Sequence, residues 1–158
     1  MTALMAERQM PEGMRKFLAS PLMKYFTLGN TVLYRVSGGR LGGTRGGAPV
    51  LLLTATGRKS GRKITTPLIY LRDGAEYVVV ASKGGYDKHP LWYLNLLANP
   101  ATEVQVGGTK LATTARVANA SERERLWPRL LEIYADYANY QSWTDREIPL
   151  VILSPRAS

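Results

Sequence analysis

Between residues 50 and 82 the chain alternates three strand-like runs with two turns too short for anything but antiparallel pairing. Val50–Thr56 is apolar with β-branched residues, and Gly57-Arg58-Lys59-Ser60-Gly61-Arg62 is a turn. Lys63–Leu71 resumes as a strand, Arg72-Asp73-Gly74 turns again, and Glu76–Ser82 is the third strand. Parallel neighbours need a crossover of about a dozen residues or more, and neither turn supplies one. Thr102–Val106 and Lys110–Val117 form a further hairpin across Gly107-Gly108. Pro149–Leu153 reads as a closing strand. With no βαβ rhythm, the class is mostly β with flanking helices (α+β), a small β-barrel or sheet.

The helices are read from periodicity and punctuation. Residues 1–11 read as a flexible polar arm and 12–158 as a single domain. Met14, Phe17, Leu18, Leu22, Tyr25 and Phe26 recur at helical spacing over 12–36. Pro21 begins a new turn there, and Gly29 or Asn30 is expected to break the run again. This helix pair is expected to pack on its own domain; lying on an acidic membrane surface is the alternative. Ser37–Pro49 is a glycine-rich loop carrying Arg40 and Arg45. Pro90–Leu97 is a short helix stopped by Asn99-Pro100. Ser121-Glu122-Arg123-Glu124 has the form of a capping box opening a helix through Tyr140, with Pro128 expected to kink it or mark its true start.

Composition narrows the chemistry. A chain of 158 residues with 45% hydrophobic residues is not a disordered class. There is no cysteine, which excludes disulfides, thiolate metal sites and cysteine nucleophiles. His89 is the single histidine, so a two-histidine metal site is excluded, and no partner for a catalytic triad is evident. No metal site is expected. The net charge of +9 lies wholly within residues 1–63, where eleven basic residues face two acidic ones. Such a field attracts an anion: nucleic acid, acidic lipid or a small polyanionic cofactor. Charges clustered at glycine turns suit a compact anion better than a nucleic acid, which favours basic residues interleaved with aromatics along a groove. No apolar run approaches a membrane span and no signal-peptide core is present, so the cytoplasm is the expected location.

Four segments carry candidate chemistry. Glycines in Gly57–Lys63 let backbone N–H groups converge on an anion, with Arg58, Lys59 and Arg62 supplying charge; a solvated basic hairpin has the same sequence. Ala81-Ser82-Lys83-Gly84-Gly85 is a second turn of this kind, where Gly-Gly lets a planar ligand approach the backbone; an ordinary turn is the alternative. In Lys88–Leu96, Trp92 and Tyr93 read as core aromatics or ligand walls, Asn95 as an exposed polar residue, and His89 as a structural or contact residue. Tyr134, Tyr137, Tyr140 and Trp143 recur every three residues, a step that spirals around a helix. They form either an aromatic surface or a pocket wall with phenols to donate.

In order, these segments resemble one family. Gly38-Gly39-Arg40-Leu41-Gly42-Gly43, Leu51–Gly61, Thr66-Pro67-Leu68, Ala81–Gly85, Trp92–Leu96 with Ala98-Asn99-Pro100, and Tyr140–Arg146 are similar to the deazaflavin (F420)-dependent nitroreductases of actinobacteria. Lys63-Ile64-Thr65 and Gly85-Tyr86-Asp87 depart from some relatives. The resemblance implies a split β-barrel of the flavin-reductase, FMN-binding-like type. It also implies hydride transfer from reduced coenzyme F420 to a quinone or a nitroaromatic or nitroimidazole-type substrate. It assigns cofactor binding to Arg58, Lys59, Ser60, Gly61, Arg62, Thr66, Pro67, Ser82, Lys83, Gly84, Gly85, Pro90 and Trp92. Tyr137, Tyr134, Tyr140 and Ser82 become the catalytic candidates, Tyr137 foremost. Two alternatives stand beside it: an FMN-dependent reductase on the same fold, and a non-enzymatic module for nucleic acid or acidic lipid. Peripheral contact at the inner face of the cell membrane, through the N-terminal helix, is compatible with the reductase.

Overall fold

The computed structural model describes residues 10–156. The three runs that open the sheet pair as their turns require. β1 (Thr44–Arg45) flanks β2 (Ala48–Thr56), which pairs antiparallel with β3 (Lys63–Asp73), and β3 with β4 (Glu76–Val80). The hairpin of β5 (Ala101–Val106) and β6 (Thr109–Val117) turns at Gly107-Gly108, and β7 (Leu150–Pro155) lies between β4 and β6. β5 returns to β2 through Leu53↔Val104, closing a six-stranded antiparallel barrel. The expected barrel with flanking helices is what forms.

Successive strand residues point to opposite faces. In β2, Val50 and Leu52 join one buried cluster with Val78, Val80, Leu150 and Ile152. Leu51 and Leu53 join the other, with Tyr77, Val79, Val104 and Val151. Because both faces are covered, these strands read as unbroken apolar runs and not as alternation. Five helices lie among the described residues, α1 (Glu12–Leu18), α2 (Leu22–Ser37), α3 (Leu91–Ala98), α4 (Ala120–Ile133) and α5 (Asp136–Ser142), and the last four supply the cover. Trp92, Tyr93 and Leu96 of α3 seal one cluster; Tyr34 of α2, Leu126 and Leu130 of α4 and Tyr137 of α5 seal the other.

Several expectations are corrected. Gly29 and Asn30 do not break α2, which runs on because Tyr34 anchors its far end: the phenol donates to the Gln105 carbonyl and accepts from Gly107 N–H at 2.7 Å. The capping box is built on Asn119, whose side chain accepts from Glu122 N–H at 2.8 Å while Glu122 accepts from Asn119 N–H. Pro128 lies well inside α4 and does not mark its start. The helix does not reach Tyr140: it stops at Tyr134, whose φ of −147° is extended, and restarts at Asp136. The third strand ends at Val80, two residues early, because the chain there turns into the Lys83–Gly85 3₁₀ turn.

The N-terminal helices also depart from expectation. The helix pair does not turn its apolar stripe inward. In α2, Thr31 and Tyr34 are the buried residues, whereas Leu22, Tyr25, Phe26, Val32, Leu33 and Val36 face out. α1 buries none of its residues. The flexible arm assigned to 1–11 lies, apart from Met10 and Pro11, outside the described residues.

Candidate functional site

β2 and β4 are each antiparallel to β3, so they run the same way and their C-terminal ends lead to one end of the barrel. The basic turn leaves β2 there and the Ser82–Gly85 turn follows β4. The basic turn closes on itself: Gly57 N–H donates to the Arg62 carbonyl at 2.7 Å, Gly61 N–H to the Gly57 carbonyl at 2.9 Å, and Arg62 N–H to Ser60 Oγ at 3.2 Å. Arg58, Lys59, Arg62 and Lys63 stand exposed. Among the described residues no carboxylate forms an ion pair with any of them. The turn and the first residue of β3 thus carry four cations with no acidic partner among the described residues, a local field that attracts anions.

Arg58 is pre-set from α3. Asn95 Oδ1 accepts from Arg58 N–H at 3.1 Å and from its guanidinium at 3.3 Å. Asn95 is therefore buried, against the expectation of an exposed polar residue, because its amide satisfies the basic turn. Trp92, one turn earlier on α3, is 8% exposed and belongs to the barrel core. Pro90 caps the start of the same helix. Thr66 and Pro67 lie on β3 opposite Leu53 and Leu52.

The second turn is conformationally unusual. Lys83, Gly84 and Gly85 have φ of +46°, +61° and +82°, three successive residues in the left-handed region. The glycines adopt it freely and Lys83 does not. Gly85 is required for a second reason: a Cβ there would stand 2.7 Å from the Tyr140 carbonyl oxygen and 2.9 Å from its Cα. The turn thus lies backbone to backbone on α5. Ser82 is nearly buried at its base. The Lys83 ammonium sits 4.8 Å from the Tyr86 ring centroid, and its pKa is lowered by burial and by the charges of Lys88 and Arg146.

The tyrosines gather although no single helix carries them. Tyr134 ends α4, while Tyr137 and Tyr140 sit on α5; ring centroids are 5.0 Å apart for Tyr134–Tyr137 and 6.1 Å for Tyr137–Tyr140. The Tyr134 and Tyr140 hydroxyls bond each other at 2.9 Å. Tyr137 is 4% exposed, yet its hydroxyl makes no hydrogen bond among the described residues and is not a sealed, unsatisfied atom. Burial raises the Tyr137 and Tyr140 pKa values, with neighbouring phenols adding to it and the Arg45 charge opposing it. The Tyr137 and Tyr140 phenols therefore stay neutral at physiological pH.

The structure therefore brings Ser82, Lys83, Gly84 and Gly85 against the tyrosine helix, and ties Arg58 to α3. It leaves Lys59, Ser60, Gly61 and Arg62 on the exposed turn. Three residues beside these groups were given no site role from the sequence: Asn95, Arg45 and Arg146. The signal for Arg146 was its place in the Tyr140–Arg146 segment, where a lone arginine ends an aromatic row.

Comparison with known proteins shows the family. The sequence model of the F420H(2)-dependent quinone reductase family matches residues 28–155. A Mycobacterium tuberculosis protein provisionally named for that activity is 48% identical over 118 residues, 74% of this chain and 99% of the relative. An F420H(2)-dependent quinone reductase of the same organism is 45% identical over 128 residues, 78% of this chain and 86% of the relative. The solved structure of an F420-H2 dependent reductase superposes with a TM-score of 0.63 at 47% identity, covering 67% of this chain and 94% of that one. The barrel is thus the split β-barrel expected, and the chain belongs to the F420H(2)-dependent quinone reductase family.

Proposed function

We propose that the protein reduces a quinone with hydride from reduced coenzyme F420, a nitroaromatic or nitroimidazole-type ring being the alternative flat acceptor. One observation carries the reading: the Ser82–Gly85 turn rests directly on the backbone of Tyr140, so a ring over the turn lies beside the phenols. The donor set fits an anionic deazaflavin. Arg58, fixed by Asn95, with Lys59, Arg62 and the N–H of Ser60, would hold the phosphate and acidic tail, while the Gly61 N–H closes the turn on the Gly57 carbonyl. Lys83 adds charge at the second turn, where Gly84 and Gly85 admit a planar ring; Thr66, Pro67, Pro90 and Trp92 frame that end of the barrel.

When bound, reduced F420 supplies the hydride. The chain orients the acceptor and handles charge. As the acceptor gains a hydride, negative charge builds on one oxygen. Tyr137, whose hydroxyl is unengaged while those of Tyr134 and Tyr140 hold each other, donates to that oxygen. Ser82 is the second donor. The phenol keeps its proton, and one proton from solvent completes the hydroquinone. Titrating the purified protein with F420 and, separately, with FMN tests the cofactor. Saturable binding of F420, followed by quinone-dependent oxidation of the reduced form, supports the reading. Binding of FMN alone overturns it in favour of a flavin reductase on the same barrel.

Peripheral contact with an anionic membrane is part of this proposal. Leu22, Tyr25 and Val36 are 67%, 69% and 83% exposed on α2, whose only charged side chains are Lys24 and Arg35. An apolar outward face with cationic flanks suits the interface of an acidic bilayer. No helix among the described residues is long and apolar enough to cross one. Salt-sensitive retention on anionic liposomes, lost in a Tyr25→Asp/Leu33→Asp variant, is the expected result. Equal retention on neutral liposomes removes the anionic surface from the proposal, and no retention on either removes the membrane altogether.

A further inference from the structure

Arg146 lies between α5 and β7, and its guanidinium reaches four groups of one segment. Nε donates to the Tyr86 carbonyl at 2.9 Å, Nη1 to the Ala81 carbonyl at 3.1 Å and Nη2 to the Ser82 carbonyl at 2.8 Å. Nη1 also meets His89 Nδ1 at 3.1 Å. With an arginine as the donor, Nδ1 is the acceptor and the histidine proton sits on Nε2. His89 is otherwise packed on Tyr93, ring centroids 4.8 Å apart. Among the described residues no carboxylate lies within ion-pairing distance of Arg146. A half-buried cation is thus satisfied by three carbonyls and one imidazole.

The carbonyls it takes are not arbitrary. Ser82 and Tyr86 bracket Lys83, Gly84 and Gly85, the three left-handed residues. A lysine at φ +46° persists only where its surroundings over-determine it. A planar fork with fixed donor directions sets the spacing between the two ends of the turn, which a flexible ammonium would not. On the opposite side Gly85 has no room to retreat from Tyr140 and Trp143.

We infer that Arg146 is a positioning residue, whose fork holds the Ser82–Tyr86 turn in its left-handed form so that a ring over the turn keeps a fixed distance from the tyrosine wall. This rests on reading the turn as the deazaflavin site. Hydride transfer depends steeply on donor–acceptor placement, so a turn relaxed by about 1 Å costs on the order of a hundredfold in rate. The acidic tail would be held elsewhere, by the basic turn, so cofactor affinity is expected to change far less.

The test compares wild type with Arg146→Lys, which keeps the charge and loses the fork, and Arg146→Ala with and without added guanidinium. Three quantities are read: hydrogen exchange of the 81–89 amides without cofactor, the Kd for F420, and the single-turnover rate with a quinone. The expected result is faster exchange confined to 81–89, a nearly unchanged Kd, a rate lower by about a hundredfold in both variants, and partial recovery of rate and protection by guanidinium in Arg146→Ala. If exchange rises across the barrel, the variant has lost its fold, and His89→Ala, which deletes one of four contacts, is read in its place with the same pattern at smaller size. Wild-type rates in Arg146→Lys, or a loss of Kd that matches the loss of rate, overturn the positioning role. Failure of the wild type itself to bind F420 overturns the site reading instead.

Discussion

Asn95 Oδ1 accepts two hydrogen bonds from a single residue, the backbone N–H and the guanidinium of Arg58. A buried amide on α3 thereby fixes the first cation of an exposed turn, and the turn is stiff at the point where an anion would dock. Arg58→Ala or Lys59→Ala is expected to weaken F420 binding by about 1–3 kcal/mol, the scale of a charge-assisted hydrogen bond. The loss shrinks in high salt, where the wild type is itself screened. Asn95→Leu, which leaves Arg58 present but unheld, gives a smaller loss of the same sign. Titrations at low and high salt check all three, and unchanged affinity for every variant at low salt removes the basic turn from the site.

Gly85 and Gly61 both have positive φ, but only Gly85 is hemmed in; nothing lies within 4 Å of a Cβ at Gly61. Gly61→Ala is expected to cost only the backbone term, about 1–2 kcal/mol. Gly85→Ala adds a collision with the Tyr140 backbone and should lower the urea midpoint further while abolishing turnover. Equal midpoints for the two variants would contradict the packing of the turn on α5.

Tyr137→Phe keeps the ring in the core and removes one hydroxyl. Cofactor affinity should hold, whereas single-turnover oxidation of reduced F420 by a quinone slows by roughly a hundredfold, about 3 kcal/mol of barrier. Tyr137→Ala should in addition destabilise the barrel by about 3–5 kcal/mol, as expected for a truncated core aromatic. Wild-type rates in Tyr137→Phe would make the residue a wall only and pass the donor role to Ser82 or to water.

Two carboxylates contribute stability that acid removes. Asp73 is held down to about 2 by Arg125 and Arg129, and Glu122 to about 2 by Arg116 and the Asn119 N–H. Their ordinary values are 3.8 and 4.5, so both folded pKa values are depressed. Their stabilisation is complete above the ordinary values and is lost as pH falls toward about 2. Urea midpoints across this range should show Asp73→Asn and Glu122→Gln below wild type near neutrality and converging with it in acid. A constant gap at every pH would mean that the carboxylates act by packing and not by charge.

The sequence by itself determined what local chemistry controls. Short glycine turns forced antiparallel pairing, Gly107-Gly108 placed the second hairpin, and the cations of 58–63 fell together on one exposed turn, because turn conformation and local charge are properties of neighbouring residues. Tertiary structure decided the rest. Tyr134 leaves the helix that its spacing suggested, since it caps α4 and bonds Tyr140 across the break. Asn95 is drawn inward by a residue 37 positions away, and Arg146 by carbonyls 60 to 65 positions away. An amide or a guanidinium looks alike in sequence whether it is hydrated or buried; only the partners brought by the closed barrel satisfy it, and those partners are distant in the chain. The outward apolar face of α2 is the converse case. Its periodicity was plain in the residues, but which side met the barrel depended on Tyr34 finding Gln105 and Gly107 on the β5–β6 hairpin.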